Sequence, residues 1–165
     1  CYGFKGGIGT ASRILDMQQR PYTVGALLLT NFGSRGDLMI NGERIAPTDF
    51  HEPDTGSCII LIATDLPLSC RQLARCTRRA QNGLARTGSI TGGGSGEIVL
   101  MFSTENRVPH FSTDAVLSGS YLHEDHLESV FRAVTECVHA SVISSLLHAE
   151  QVTGRDGHTV EALRI

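Results

Sequence analysis

The run Ser57-Cys58-Ile59-Ile60-Leu61-Ile62-Ala63-Thr64 is apolar at odd and even positions alike, and it follows directly on a polar stretch, Pro47 to Gly56, rich in Pro, Asp and Gly. Side chains of a strand alternate between two faces, so this run predicts a central strand covered on both sides, with a loop leading into it. Upstream, Ile8 to Met17 and Tyr22 to Asn31 read as an antiparallel pair around Gln18-Gln19-Arg20-Pro21, and the apolar stretch Val24 to Leu29 suits a buried sheet. Asn41-Gly42, inside Asp37 to Ala46, has the pattern of a two-residue hairpin turn. Downstream, Cys70, Leu73, Ala74, Thr77, Ala80 and Leu84 recur at helical spacing behind Ser69 and predict one amphipathic helix. Thr87 to Gly96 is a glycine-rich loop and Glu97 to Thr104 a buried strand. A second helix, Asp125 to Leu147, is buried through Leu127, Val130, Phe131, Val134, Val138, Val142 and Leu146. Glu124, Asp125 and Glu128 at its start suit the positive end of the helix dipole. Strands, helix, strand and helix in this order imply a layered α/β domain.

Composition narrows the function. The chain has 165 residues, the size of one domain, of which 41% are hydrophobic and 19% charged, and no apolar run approaches the ~18 residues of a bilayer span. A membrane partner is therefore not expected. A net charge of −3 and an arginine stretch, Arg71 to Arg86, without interleaved aromatics argue against nucleic acid. Cys1, Cys58, Cys70, Cys76 and Cys137 are odd in number and form no C-x-x-C, so a reducing, cytoplasmic location is the expectation and a zinc or redox centre is not. His123, His126, His139 and His148 lack a completing Cys or carboxylate cluster and read as solvated or structural. Gly6-Gly7-Ile8-Gly9 opens a strand instead of joining a strand to a helix, which rules out a dinucleotide fingerprint. Thr153 to His158 reads as a turn without chemistry. The chain opens on Cys1 with neither the charged region nor the apolar core of a signal peptide, and the precursor's own start is expected upstream.

The chemistry concentrates at Thr55-Gly56-Ser57-Cys58, where loop meets strand. A serine hydroxyl needs a base to become nucleophilic at neutral pH, and a serine made N-terminal by cleavage has one in its own α-amine. Such an amine titrates near ~7.7–8.0, close enough to working pH to accept and return a proton. Gly56, lacking Cβ, permits the unusual backbone in which the Ser57 hydroxyl attacks the Gly56 carbonyl, giving an ester that water opens. On these two residues alone, a Gly-Ser turn entering a strand is the simpler reading.

The wider pattern changes that balance. Cys1-Tyr2-Gly3-Phe4-Lys5-Gly6-Gly7-Ile8-Gly9-Thr10-Ala11-Ser12-Arg13, Thr30-Asn31-Phe32-Gly33, Gly56-Ser57 with Ala63-Thr64-Asp65, Gly83-Leu84-Ala85-Arg86 and Ser95-Gly96-Glu97-Ile98 together resemble the DmpA-type aminopeptidases and β-peptidyl aminopeptidases. The resemblance implies an α-β-β-α layered sandwich of the kind shared with ornithine acetyltransferases, of which this chain is the C-terminal portion. It implies self-processing, residues 1–56 ending the larger fragment and 57–165 forming the smaller, and assembly of the processed pair into homo-oligomers. A large N-terminal portion of the same precursor becomes a partner. Carried over residue by residue, the nucleophile falls on Ser57, the oxyanion-stabilising asparagine on Asn31, and a serine and glutamate serving the nucleophile on Ser95 and Glu97. The implied substrates are short peptides, amides or esters with a free amino terminus, and no cofactor or metal is implied. One rival is an acyltransferase of the ornithine acetyltransferase type, whose usual nucleophile is threonine, so Ser57 counts against it. The other is an unprocessed, non-catalytic subunit, which an intact Gly56–Ser57 bond would favour.

Overall fold

The structure is a computed structural model that describes residues 1–18, 20–46 and 53–165. Strands β1 (Ile8–Met17) and β2 (Arg20–Asn31) pair antiparallel from Ile8 opposite Leu29 to Met17 opposite Arg20. Arg20 and Pro21 thus belong to the strand and not to the turn, and Gln19 lies outside the described residues. The expected small hairpin is present as β3 (Met39–Ile40) and β4 (Glu43–Arg44). Asn41 and Gly42 take the positive φ values, 53° and 82°, that its two-residue turn demands. Of the loop Pro47 to Gly56, residues 47–52 lie outside the described residues.

Strand β5 (Ser57–Thr64) pairs antiparallel with β2 and parallel with β6 (Gly96–Ser103), giving one four-stranded sheet of order β1-β2-β5-β6. A parallel pair needs a crossover, which helices α1 (Cys70–Thr77) and α2 (Ala80–Ala85) supply. The single helix expected over this stretch is broken at Arg78-Arg79. Thr77 Oγ1 donates to the Ala74 carbonyl at 3.0 Å, a back-bond that bends helices, and Arg79 N–H bonds the Cys76 carbonyl, closing a tighter turn. At its start α1 carries a full capping box between Ser69 and Gln72.

Helix α3 (Leu127–Leu147) follows a short 3-10 turn at Glu124–His126, so it begins two residues later than its acidic start suggested. It packs along β1 and β2, and its Val130, Val134, Val138, Val142 and Leu146 share one core with Val24, Leu28, Ile60 and Ile62, all fully buried. Each such side chain contributes about 1.5–3 kcal/mol on burial. Contact is close at Gly9, where a Cβ would lie 1.9 Å from the Ser141 carbonyl oxygen. The helical segment Glu124–Leu147 is long and apolar enough to cross a bilayer by length and composition alone, with a mean hydropathy of 1.3, and 56% of its most apolar 18-residue window is buried, as in a core helix. A final two-stranded hairpin joins β7 (Val152–Thr153) to β8 (Thr159–Val160).

The helices cover only one face of the sheet. On the other, Ile8, Ile14, Leu29, Ile59, Ile98, Leu100 and Phe102 are exposed. The double-sided burial expected of β5, of Val24 to Leu29 and of Glu97 to Thr104 is therefore met on one side only. Apolar residues at both parities reflect a second face that nothing among the described residues covers.

Candidate active site

The residue register of the sheet builds the site. Asn31 closes β2 directly opposite Ser57, which opens β5, so the two side chains stand next to each other on the open face. Asn31 is held from behind: Thr30 N–H bonds the Gly7 carbonyl at 2.9 Å, and Thr30 Oγ1 lies 2.9 Å from Ser145 Oγ on α3. The chain after Asn31 is pinned by the fully buried Tyr2, whose N–H bonds the Phe32 carbonyl at 2.7 Å and whose hydroxyl meets Thr87 Oγ1 at 2.8 Å. The glycine segment before β1 thus lies at the same sheet end as Asn31.

Ser57 is exposed, and its hydroxyl donates to the carbonyl of Gly56 at 2.7 Å. The hydroxyl and the carbonyl of the residue before it are therefore adjacent. Gly56 has no alternative here, because a Cβ would lie 1.9 Å from the Asn31 carbonyl oxygen. Cys58 points the other way: it is 2% exposed, on the helix side, and its thiol is pushed up to about 12, first by burial and then by the charges of Glu97 and Asp54. A thiol so raised stays protonated at neutral pH and is a poor nucleophile.

Ser95 and Glu97 come together, Ser95 Oγ donating to Glu97 Oε1 at 3.4 Å. Gly96 lies in register with Ser57, and a Cβ on it would be 3.8 Å from Ser57 Oγ. Glu97 lies in register with Cys58 and shares its side of the sheet, so no hydrogen bond joins it to the Ser57 hydroxyl among the described residues. A backbone nitrogen lies in the plane of the sheet, so the Ser57 nitrogen is within reach of groups from either face.

A cavity of about 790 Å3 opens beside Gly56, lined by Phe4, Asn31, Arg35, Gly56 and Glu161 among others. The Arg35 guanidinium stacks on the Phe4 ring at 4.2 Å and approaches Glu161 at 4.0 Å, giving one wall a paired charge. Sequence reasoning missed this wall. Thr153 to His158, read as a mere turn, carries His158 and the residues after it to the cavity. Asp54 was missed as well: its carboxylate accepts the Gly56 N–H at 3.2 Å, and its one signal in the sequence is the Asp-x-Gly spacing of an Asx turn.

The profile of peptidase family S58 matches residues 1–160. The β-peptidyl aminopeptidase BapA of Sphingosinicella microcystinivorans is 35% identical over 99% of this chain and 46% of its own length. Among solved structures, the L-aminopeptidase D-Ala-esterase/amidase of Ochrobactrum anthropi, a prototype of the serine aminopeptidases and a variant of the Ntn hydrolase fold, superposes with a TM-score of 0.88 at 35% identity, covering 99% of this chain and 46% of that one. The PH0078 protein of Pyrococcus horikoshii superposes with a TM-score of 0.87 at 43% identity, covering 98% and 45%. The sheet and its helical layer thus have the layered α/β architecture of the Ntn hydrolase fold, and the chain spans less than half the length of these relatives.

Proposed function

The chain belongs to peptidase family S58, and from that premise we propose that it is part of a self-processing aminopeptidase whose nucleophile is Ser57, freed by cleavage of the Gly56–Ser57 bond. One observation carries the reading: the Ser57 hydroxyl rests 2.7 Å from the Gly56 carbonyl oxygen while Asn31 stands opposite it in register, beside an open cavity. In processing, Ser57 Oγ adds to the Gly56 carbonyl carbon, the C–N bond breaks, and the Gly56 acyl group moves to oxygen as the nitrogen takes a proton. Water opens the ester, leaving a Gly56 carboxylate and a free Ser57 amine. That amine then serves as base for attack of Ser57 on a substrate carbonyl, with the Asn31 amide donating to the developing oxyanion. The acyl-enzyme is hydrolysed in turn. Ser95 and Glu97, linked to each other beside β5, orient the new amine or receive the substrate's ammonium group.

The preferred substrates are short peptides, amides or esters with a free amino terminus; the relatives' names, β-peptidyl aminopeptidase and L-aminopeptidase D-Ala-esterase/amidase, support that class. The processed pieces, residues 1–56 with what precedes them and 57–165, stay together and assemble with further copies in a reducing, cytoplasmic setting. Unpaired cysteines and exposed apolar residues support this part of the reading. Intact mass and N-terminal sequencing of the purified protein test it directly. Two pieces are expected, the smaller beginning at Ser57, and a single piece from Ser57→Ala. A wild-type protein that stays whole overturns the proposal.

A further inference from the structure

Gly56 sits just outside the sheet ladder, whose last pair joins Asn31 to Ser57, so among the described residues its N–H has no strand carbonyl to bond. That N–H goes instead to Asp54 Oδ1 at 3.2 Å. Asp54 is in turn bedded on the glycine-rich loop: a Cβ on Gly94 would lie 2.6 Å from the Asp54 carbonyl oxygen, and one on Gly92 would lie 3.4 Å from the Asp54 Cβ. The loop is closed beneath it by the Ser95 N–H on the Gly92 carbonyl at 2.9 Å. Gly56 is thereby fixed from two sides, by the Asp54 carboxylate at its nitrogen and by the Asn31 backbone where a side chain would be.

Resting on the reading that the chain cleaves itself at Gly56–Ser57, we infer that Asp54 is a positioning residue for that cleavage, its carboxylate oxygen holding the Gly56 amide so that the Gly56 carbonyl faces the Ser57 hydroxyl. The role needs an acceptor at this place and not a charge, since the contact is an Asx turn from a side-chain oxygen to the N–H two residues on. It also gives Gly94 a purpose: a side chain there would run into the Asp54 backbone, and a residue without one lets the loop lie this close. Ser57 is the group that reacts, and Asp54 acts on it through the Gly56 peptide.

The test follows conversion of full-length precursor to two pieces over time, by mass spectrometry, in the wild type, Asp54→Asn, Asp54→Ala and Gly94→Ala. Asp54→Asn keeps the acceptor and is expected to split within about threefold of the wild-type rate, whereas Asp54→Ala is slower by about tenfold or more, the factor one such hydrogen bond carries. Gly94→Ala reaches the same element from outside and is also expected to slow the split, so the inference does not depend on one variant folding. Melting of uncleaved Asp54→Ala beside uncleaved Ser57→Ala shows whether the fold is kept. An Asp54→Ala or a Gly94→Ala precursor that matures at the wild-type rate overturns the inference. So does Asp54→Asn as slow as Asp54→Ala, which would assign the work to the carboxylate's charge. A wild-type precursor that never splits defeats instead the reading on which the inference rests, and is told apart by that.

Discussion

Ser57 and Cys58 are neighbours with opposite prospects, and the alternation of a strand decides between them. Ser57 faces the open side with its hydroxyl on the Gly56 carbonyl, while Cys58 is buried against the helices with its thiol pushed up to about 12. Thiols are intrinsically the better nucleophiles, yet one that is buried and protonated cannot act as one. Cys58→Ala is therefore expected to leave the split before Ser57 in place, read by N-terminal sequencing of the smaller piece. Asn31→Ala, in enzyme already processed, should lower turnover by about 10²–10³, the usual cost of losing one oxyanion donor. Unchanged turnover would remove Asn31 from the reaction. At this scale Gly56-Ser57, Asn31 and the Ser95-Gly96-Glu97 segment were legible as motifs in the sequence. Asp54 was not, because a single side-chain acceptor in a polar loop looks like any other until the atom it serves is known.

Among the elements, α3 fixes the back of the sheet and through it the place of Asn31. Gly9 admits it: a Cβ there meets the Ser141 carbonyl oxygen at 1.9 Å and Ser145 N at 2.6 Å. Gly9→Ala should force the helix outward and destabilise the protein by about 1–3 kcal/mol, the range for overpacking a core, measured by urea unfolding. Turnover should fall too, since Ser145 holds Thr30, the neighbour of Asn31. Strand β5, the hairpin at Asn41-Gly42 and helix α3 were readable from periodicity and turn chemistry because each is set by local pattern. The break between α1 and α2 was not. Cys76, Ala80 and Leu84 keep helical spacing across it and all are buried, so the hydrophobic pattern carries no mark of the bend, which the Thr77 back-bond and packing on α3 impose. The Arg71 to Arg86 stretch likewise found its aromatic partner in space, with Arg75 and Arg79 over the Phe131 ring of α3 at 5.4 and 4.0 Å.

The molecule as a whole has one packed face and one bare face, and two consequences follow. On the packed side, burial first of all pushes Cys58 and Cys76 up to about 12 and Cys137 to about 11, from an ordinary 9.0. A thiol raised on folding contributes stability that is complete below its unfolded value and is lost as pH rises towards its folded one. The urea midpoint should thus hold steady up to about pH 9 and decline above it, and Cys76→Ala should flatten part of the decline. The bare side bears on what lies against the sheet. Leu29, Ile59, Ile98 and Leu100 are 46%, 48%, 66% and 60% exposed and lie on adjacent strands, forming a contiguous apolar surface that carries Ser57 and Asn31 at its end. Contiguous apolar area of this kind marks a surface that is covered in the working protein. The relatives are about twice as long as this chain, and the second layer of the proposed α-β-β-α sandwich is a cover of that kind. Leu100→Lys separates the two states of this face. Where the face is open to water, such a surface change stays within about 0.5 kcal/mol. Where a second sheet lies on it, the substitution removes a buried leucine worth about 1.5–3 kcal/mol and leaves an ammonium without a partner. In the full-length enzyme the melting temperature and the yield of soluble, processed protein should both drop, while Arg107→Ala, on an exposed loop, should change neither. Equal melting of Leu100→Lys and wild type would show that this face stays bare in the finished enzyme.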